Sequence, residues 1–288
     1  MEKNYCIIYN PLSGNKSGTS CAKALQERLG AAECIDMTSI ESYADFFSAH
    51  KGEKIIICGG DGTLNRFIND ISDIEIESSL YFYPGGSGND FFRDLEASTN
   101  DIVCIDKYIK SLPTCTVGDK EFKFINGVGY GIDGYCCEVG DKLRLESDKP
   151  INYAGIAIKG LLFHYKPTSA KVTVDGVVHE FKKVWIAPTM IGRYYGGGMM
   201  PTPAQDRLNE DGELSVMIFH NSASLQVLAI FPSIFKGEHI KKDKRVTVLT
   251  GKEITVEFSE PRPLQIDGET VPNVKSYSAR SAKVFAKI

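Results

Sequence analysis

The chain has 288 residues, 42% hydrophobic and 24% charged, with a formal net charge of −4. Its length suits two domains of an ordinary globular protein. The negative balance argues against a nucleic-acid binder, which needs a positive field, and no apolar run approaches the roughly 18 residues of a membrane span.

Met1–Ile8 lacks the long apolar region of a secretory signal and is expected to enter a strand at once. The eight cysteines are scattered without a C-x-x-C pair, so buried or idle thiols of a reducing cytosol are expected, not a disulfide frame or zinc site. Tyr5–Tyr9 reads as the first strand. Asn10-Pro11-Leu12-Ser13-Gly14 turns out of it, and Asn15-Lys16-Ser17-Gly18 follows. The stretch misses the P-loop pattern, since position 10 is not glycine and Asn15 precedes Lys16. A loop closing over phosphates and a plain linker both remain open. Cys21, Ala24, Leu25 and Leu29 suit one helix face, and Cys34–Met37 a second strand. Thr38 or Ser39 is the expected cap of the next helix, with Ile40, Tyr43, Ala44 and Phe47 facing inward.

The chain is organised around Gly59-Gly60-Asp61-Gly62-Thr63-Leu64-Asn65. The apolar run Ile55–Cys58 precedes it, and Leu64, Phe67, Ile68 and Ile71 follow at helical spacing. Strand, glycine turn and helix aim backbone N–H groups at one point, where a phosphate can approach without meeting a Cβ. Asp61 would repel a bare phosphate. Its place there implies a divalent cation, or else a capping residue of a tight turn. A second such turn, Pro84-Gly85-Gly86-Ser87-Gly88-Asn89-Asp90, follows Tyr81–Tyr83 and precedes Phe91, Phe92 and Leu95. Two glycine turns on successive strands open on one edge of a parallel sheet, where ligands of open α/β sheets bind. With Ile102–Ile105 as a further strand, this half is α/β with a mostly parallel sheet.

The texture changes near residues 108–115. Phe122–Val128, Lys171–Asp175, Val177–Ala187, Glu213–Phe219, Val246–Thr250 and Glu253–Phe258 read as strands of an antiparallel sandwich, with helical patches at Asn152–Phe163 and Leu225–Lys236. Asn126–Gly134 contains a formal G-x-G-x-x-G, but no βαβ unit surrounds it, so close chain packing is the expected role. Gly196–Gly198 forms a flexible turn before Met199 and Met200. Asp206–Glu213 is either an oxygen-donor loop for a hard cation or a solvated acidic turn. Gln265-Ile266-Asp267-Gly268-Glu269 reads as a strand ending in a carboxylate turn. The five histidines form no H-E-x-x-H pair, and Gly85–Asn89 lacks the last glycine of a G-x-S-x-G elbow.

Taken in order, Asn10-Pro11 with Ser13-Gly14, the two glycine turns, Gly196–Gly198 with Pro203 and Asp211-Gly212, and Asp267-Gly268-Glu269 resemble the soluble diacylglycerol kinase and sphingosine kinase superfamily, especially its bacterial lipid kinases. The glycine turns are shared more loosely with NAD kinases and phosphofructokinases, while the last two motifs narrow the resemblance to lipid kinases. It implies an NAD kinase/phosphofructokinase-like α/β domain of residues 1–112, rejoined by 277–288, and an all-β antiparallel sandwich of residues 113–276 for the lipid, with a cleft between them. It implies ATP and Mg²⁺ as cofactors. ATP would meet Asn10, Thr38, Gly59, Gly60, Asp61, Gly62, Thr63, Asn65, Gly86, Ser87 and Asn89. Asp61 and Asp90 would hold the catalytic Mg²⁺, and Glu269 would be the general base. A structural Mg²⁺ would sit at Asp211 with the main-chain oxygens of Leu208 and Glu213.

Three positions depart from the family pattern. Arg66 stands where glutamate is usual, Ser87 where threonine is commoner, and Cys115 where many bacterial relatives carry an aspartate of the magnesium network. The expected activity is ATP-dependent phosphorylation of a lipid hydroxyl, diacylglycerol or a relative, by a cytoplasmic protein attached peripherally to the membrane. Lys241-Lys242-Asp243-Lys244-Arg245 would meet anionic lipid, or is a solvated loop. A soluble-substrate kinase of the NAD kinase type and a catalytically weakened nucleotide-binding homologue are the alternatives. The sequence leaves monomer and homodimer both open.

Overall fold

The computed structural model describes residues 5–282 apart from 12, 14–17, 31, 86–88 and 147–150. The chain divides between Lys110 and Ser111 into two units. In the first, β1 (Tyr5–Tyr9), β2 (Ala32–Asp36), β3 (Lys54–Gly59), β4 (Ser79–Pro84) and β5 (Val103–Cys104) form a sheet in the order β2-β1-β3-β4-β5. The first four are mutually parallel, and β5 runs antiparallel to β4. Ile55, Ile56, Ile57 and Cys58 are all fully buried. A strand apolar on both sides demands cover on both faces. On one face α1 (Gly18–Leu29) lays Ala22 and Leu25 against Ile7, Ile56 and Cys58. On the other, Phe82 meets Phe91 and Phe92 of α4 (Asp90–Asp94), with ring centroids 6.0 and 5.4 Å away. Between them in sequence lie α2 (Tyr43–Ala49) and α3 (Asp61–Asp70), which meet through Tyr43 and Phe67 at 5.5 Å; α5 (Asp106–Ile109) follows β5.

Four local expectations are corrected. The buried face of α1 contains Ala22, with Ala24 exposed. Neither Thr38 nor Ser39 caps α2. Asp36 captures the Thr38 N–H at 2.8 Å and closes a 3-10 turn over Met37–Ser39, so the helix starts later, capped by Ser42. Its buried aromatics are Phe46 and Phe47, and Ala44 is exposed. Only Val103–Cys104 of the expected Ile102–Ile105 strand pairs.

The second unit is antiparallel throughout its described strands. They are β6 (Thr114–Val117), β7 (Lys120–Lys123), β8 (Gly127–Tyr130), β9 (Thr168–Val174), β10 (Val177–Val184), β11 (Thr189–Met190), β12 (Leu214–Phe219), β13 (Val246–Gly251), β14 (Glu253–Ile266) and β15 (Glu269–Arg280). The order is β13-β12-β11-β8-β14-β15-β6-β7, with β9 on β14 and β10 on β9. The first half of β14 pairs with β9 through Ile254–Phe258, and the last part pairs with β8 through Leu264–Ile266. Its register shifts between Glu257 and Leu264, where Pro261 and Pro263 withhold ladder hydrogen bonds. The β14–β15 hairpin therefore serves both layers and folds one continuous sheet into the sandwich. Tyr130 of β8 stacks on Phe258 at 4.1 Å, and Thr189 of β11 shares a 2.7 Å hydrogen bond with Tyr277 of β15. The expected fold class, a mostly parallel α/β domain followed by an antiparallel sandwich, is the one found.

Helices cover this sheet: α6 (Ile132–Glu146), α7 (Tyr153–Lys159) continuing into a π turn at Gly160–His164, and α8 (Ser224–Ile230) with 3-10 turns at Phe231–Lys236 and Glu238–Lys241. The single strand expected at Phe122–Val128 is two, β7 and β8, and α6 is a helix not anticipated from the sequence. The strand β15 pairs Ser278 with Thr116 and Ala279 with Cys115, which makes Tyr277–Arg280 part of the second unit's sheet. Residues 283–288 lie outside those described.

The α6–β14 contact rests on Gly134, where an added Cβ would lie 2.0 Å from the Pro263 carbonyl oxygen. Gly134→Ala is expected to destabilise the second unit by about 1–3 kcal/mol, since main chain cannot swing aside as a side chain can. Urea unfolding followed by Trp185 fluorescence measures this, and an unshifted midpoint would contradict the packing.

Candidate active site

Four parallel strands place their carboxyl ends on one edge. Asn10 follows β1, Thr38 lies just past β2, Gly60 follows β3, and Asn89 lies beyond β4. The Gly85 N–H donates to the Gly59 carbonyl at 2.8 Å, so the two glycine turns begin side by side. Gly59 permits a tight entry into α3: its Cβ would lie 2.6 Å from Thr63. Gly60 is the N-cap and supplies no side-chain cap, and a Cβ on Gly62 would meet nothing within 4 Å. The first turn of α3 thus combines backbone N–H groups, the positive end of a helix dipole and open space, as an anionic ligand requires.

Asp61 joins the two turns. Its Oδ2 accepts the Asp90 N–H at 2.7 Å and the Phe91 N–H at 3.4 Å, so the first residue of α3 holds the start of α4. The Asp90 side chain is nearly buried, with its Oδ1 3.7 Å from Arg93 Nη1. Thr63 and Asn65 are buried, and Asn69 Nδ2 donates to the Asn65 carbonyl at 2.9 Å. Thr38 donates its Oγ1–H to Asp36 at 2.7 Å, and the Asn10 carbonyl accepts from Ser13 Oγ at 2.9 Å. Gly86 and Ser87 lie outside the described residues. A carboxylate has about four lone-pair sites, so the N–H groups on Asp61 Oδ2 do not exhaust it as a metal ligand. Asp61 and Asp90 offer carboxylate oxygens, the hard donor type that Mg²⁺ takes. Arg66, the unusual residue of the first motif, is exposed and 3.7 Å from Asp70 one turn along α3. Burial raises the Asp70 carboxyl, and Arg66 opposes that rise.

In the second unit, Glu269 is exposed at the start of β15. The turn before it is rigid. Asp267 (φ 47°) and Gly268 (φ 99°) both occupy the left-handed region, as a two-residue type I′ hairpin requires. The Asp267 carboxylate accepts the N–H groups of Ile125 at 2.5 Å and of Asn126 and Gly127 at 2.9 Å. Gln265 Oε1 accepts the Gly268 N–H at 2.6 Å. Arg207 donates to the Ile125 carbonyl at 2.7 Å and to Asn126 Oδ1 at 3.2 Å, tying the acidic loop to the same corner. Cys115 is buried nearby, and burial, then the Asp267 charge, pushes its thiol far up.

The acidic loop is closed by its own hydrogen bonds. The Glu213 carbonyl accepts from Gln205 Nε2 at 2.8 Å and Asn209 Nδ2 at 2.9 Å, while Asp206 Oδ1 accepts the Leu208 N–H at 2.9 Å. The Glu213 carbonyl, one of the oxygens expected beside Leu208 and Asp211, thus accepts two side-chain hydrogen bonds within the loop. Cys6, His50 and Glu53 do converge elsewhere in the first unit, but thiol and imidazole are not donors of choice for Mg²⁺.

A family model of the diacylglycerol kinase catalytic domain matches residues 4–115, and one of the YegS C-terminal NAD kinase beta sandwich-like domain matches residues 126–282, more than half of the chain. The protein named "Putative lipid kinase YtlR" of Bacillus subtilis (strain 168) is 25% identical over 302 residues, spanning 92% of this chain and 93% of that protein. A diacylglycerol kinase of the same organism is 26% identical over 276 residues, spanning 91% and 88%. The crystal structure of a diacylglycerol kinase from Bacillus anthracis str. Sterne shares the fold, with a TM-score of 0.59 at 20% identity over 97% of this chain and 93% of that one.

Sequence reasoning missed Asp133, which the G-x-G-x-x-G pattern carries at a variable position. It lies in the first turn of α6, buried, and accepts Tyr195 Oη–H at 3.1 Å and a hydrogen bond from the Gln265 side chain. Burial outweighs these donors and lifts its carboxyl from 3.8 to about 6. Below pH ~4 the group is protonated both folded and unfolded. Between pH ~4 and ~6 only the unfolded chain releases the proton, so stability falls as pH rises through that window and levels off above it. Asp133→Asn removes this contribution. The melting temperature of the variant, relative to the parent, is expected to climb from pH 4 to pH 6 and then stay level; a difference independent of pH would contradict the assignment.

Proposed function

Because the chain belongs to the diacylglycerol kinase family of lipid kinases, we propose that it transfers the γ-phosphoryl group of ATP to a lipid hydroxyl, with diacylglycerol or a close relative as acceptor. The observation that carries this reading is the Asp61–Asp90 hydrogen bond, which draws two glycine turns to one sheet edge. Phosphoryl transfer asks for positioning and charge neutralisation more than for covalent chemistry. In the proposal the N–H groups at the start of α3 take the phosphates. Asn10, Thr38, Thr63, Asn65 and Asn89 contact the nucleotide, joined by Gly86 and Ser87 of the second turn. When bound between Asp61 and Asp90, Mg²⁺ would neutralise phosphate charge. Glu269 takes the proton of the attacking hydroxyl, a role typically worth about 10²–10⁴-fold. Its rigid hairpin suits that role, because a base must be held in position.

A lipid acceptor has to be met at a bilayer, and no described helix is long and apolar enough to cross one. The helical cover of the second unit supports an interfacial mode. Leu161, Val227 and Ile234 face the core, while their neighbours Leu162, Phe163, Leu225 and Phe235 are exposed, Phe163 by 75% and Leu225 by 72%. The π turn packs against α8, and α8 against the following 3-10 turn, so these segments are neighbours. Exposed Lys159, Lys236, Lys241, Lys242 and Lys244 belong to the same or adjoining segments. Apolar side chains with basic neighbours match an anionic bilayer surface, where each cation contributes ~1 kcal/mol. That exposed face favours a lipid over a soluble acceptor.

Two experiments test this reading. Incubation with ATP, Mg²⁺ and a total lipid extract is expected to yield one class of phosphorylated lipid. Glu269→Gln should then lose at least ~10²-fold in turnover while nucleotide affinity is retained. Absence of any lipid product, or a fully active Glu269→Gln, would contradict the proposal. Separately, Phe163→Asp combined with Leu225→Asp is expected to abolish sedimentation with vesicles containing anionic lipid, leaving turnover of a dispersed short-chain acceptor intact. Unchanged sedimentation would dispose of the docking face.

A further inference from the structure

We propose that Cys21 and Cys58 form a reversible disulfide site under the glycine turns, closed by a peroxide, and that closure weakens nucleotide binding. The second clause rests on the nucleotide reading above; the first stands without it. Cys21 lies on α1 and Cys58 is the residue before Gly59 in β3. Their sulfurs are 3.6 Å apart, with the Cys58 S–H donating to Cys21 Sγ. Both are free thiols. Cys58 is fully buried, whereas Cys21 is partly exposed, so an oxidant reaches Cys21 first.

The chemistry is set up by the pair itself. The Cys58 hydrogen bond lowers the Cys21 thiol to about 7 against the opposing effect of burial, while Cys58 is pushed up and keeps its proton. A thiolate is the nucleophile that peroxides oxidise. The Cys21 thiolate attacks one peroxide oxygen; the O–O bond breaks, giving a sulfenic acid and hydroxide, which leaves as water. Cys58 sulfur then attacks the Cys21 sulfur. The S–S bond forms, the S–O bond breaks, and water departs with the Cys58 proton. Two thiols are oxidised and one peroxide is reduced to two waters. A thiol reductant reverses the step by exchange. Intracellular disulfides of this kind are transient and redox-sensing, so the site is compatible with a reducing compartment.

The location gives the switch its consequence. A Cβ on Gly85 would lie 3.0 Å from Cys21 Sγ, 3.3 Å from the Gly59 nitrogen and 3.4 Å from Cys58 Sγ. The thiols therefore sit directly against the start of the second turn and beside the first. A disulfide is ~2.05 Å long, so closure shortens the present sulfur separation by well over an ångström. Cys58 is bonded to Gly59, and its displacement is passed to the Gly59–Gly60–Asp61 backbone that is proposed to meet phosphate. Misplacement on that scale can weaken a positioned site by ~10²-fold.

The test is oxidation of the full chain with hydrogen peroxide, alkylation of remaining thiols, and peptide mass spectrometry, alongside titration with a fluorescent ATP analogue before and after. We expect a Cys21–Cys58 linked peptide, a loss of affinity of tenfold or more, and recovery of both after dithiothreitol. Cys21→Ser and Cys58→Ala should each bind the analogue like the reduced parent yet resist peroxide. Cys104→Ser, which removes an exposed thiol elsewhere, should remain sensitive. Absence of the linked peptide overturns the site, and a linked protein with undiminished affinity overturns the switch. Reduced parent that binds no nucleotide would instead count against the kinase reading, with the linked peptide still deciding whether the disulfide site exists.

Discussion

A single carboxylate holds the first unit's functional edge together. Asp61 begins α3, yet its Oδ2 takes the N–H of Asp90 at the start of α4, at 2.7 Å. Two helices entering from neighbouring strands are thereby pinned at their N-termini. Backbone N–H groups cluster there, and such clusters attract anions. The surrounding residues follow from that constraint. Gly59 must lack a side chain so that Thr63 can fold over it, Gly60 leaves the helix end uncapped, and Gly62 faces open space. An acidic side chain in an anion site carries a repulsive cost, and a divalent cation is the ordinary way to offset it. The same residue thus has a structural role that is visible and, in the proposed function, a metal-binding one.

The second unit uses another carboxylate for a comparable purpose. Asp267 gathers three consecutive N–H groups at the start of β8 and so fixes the hairpin that presents Glu269. The hairpin is also where the sheet changes layers, since β14 leaves β9 and joins β8 beyond its two prolines. Glu269 consequently stands on a turn that the fold cannot easily move. Asp133 and Gln265 support it from within: the Gln265 side chain is hydrogen-bonded to Asp133 and to the Gly268 N–H. Buried polar groups linked in this way rigidify when satisfied.

Much of this was legible in the amino-acid order because it is local. Ile55–Cys58 and Tyr81–Tyr83 are apolar runs stopped by glycine, and Leu64, Phe67, Ile68 and Ile71 carry a helical period; all four lie buried. The two glycine turns and Asp267-Gly268-Glu269 could be singled out for the same reason. What was missed depends on distant partners or on small residues. The buried stripe of α6 includes Ile132, Cys136 and Gly140, at regular spacing but almost without hydrophobic contrast. β15 buries only Val274, Tyr277 and Ala279 of twelve residues, and its pairing with β6 spans most of the unit's sequence. The Asp36–Thr38 hydrogen bond decided the start of α2 by local competition that residue preference alone does not resolve. Asp133, Tyr195 and Gln265 are separated by dozens of positions and meet only through the sandwich.

The central claim is that the N-terminal turn of α3, pinned by Asp61, receives the phosphates of a nucleotide. Amide chemical shifts of isotope-labelled protein, titrated with a non-hydrolysable ATP analogue and Mg²⁺, report on that turn directly. The account predicts that the Gly60, Gly62 and Thr63 amides move most, and move little with the unphosphorylated nucleoside. Saturable binding that leaves these amides unmoved, with the shifts concentrated elsewhere, would contradict it.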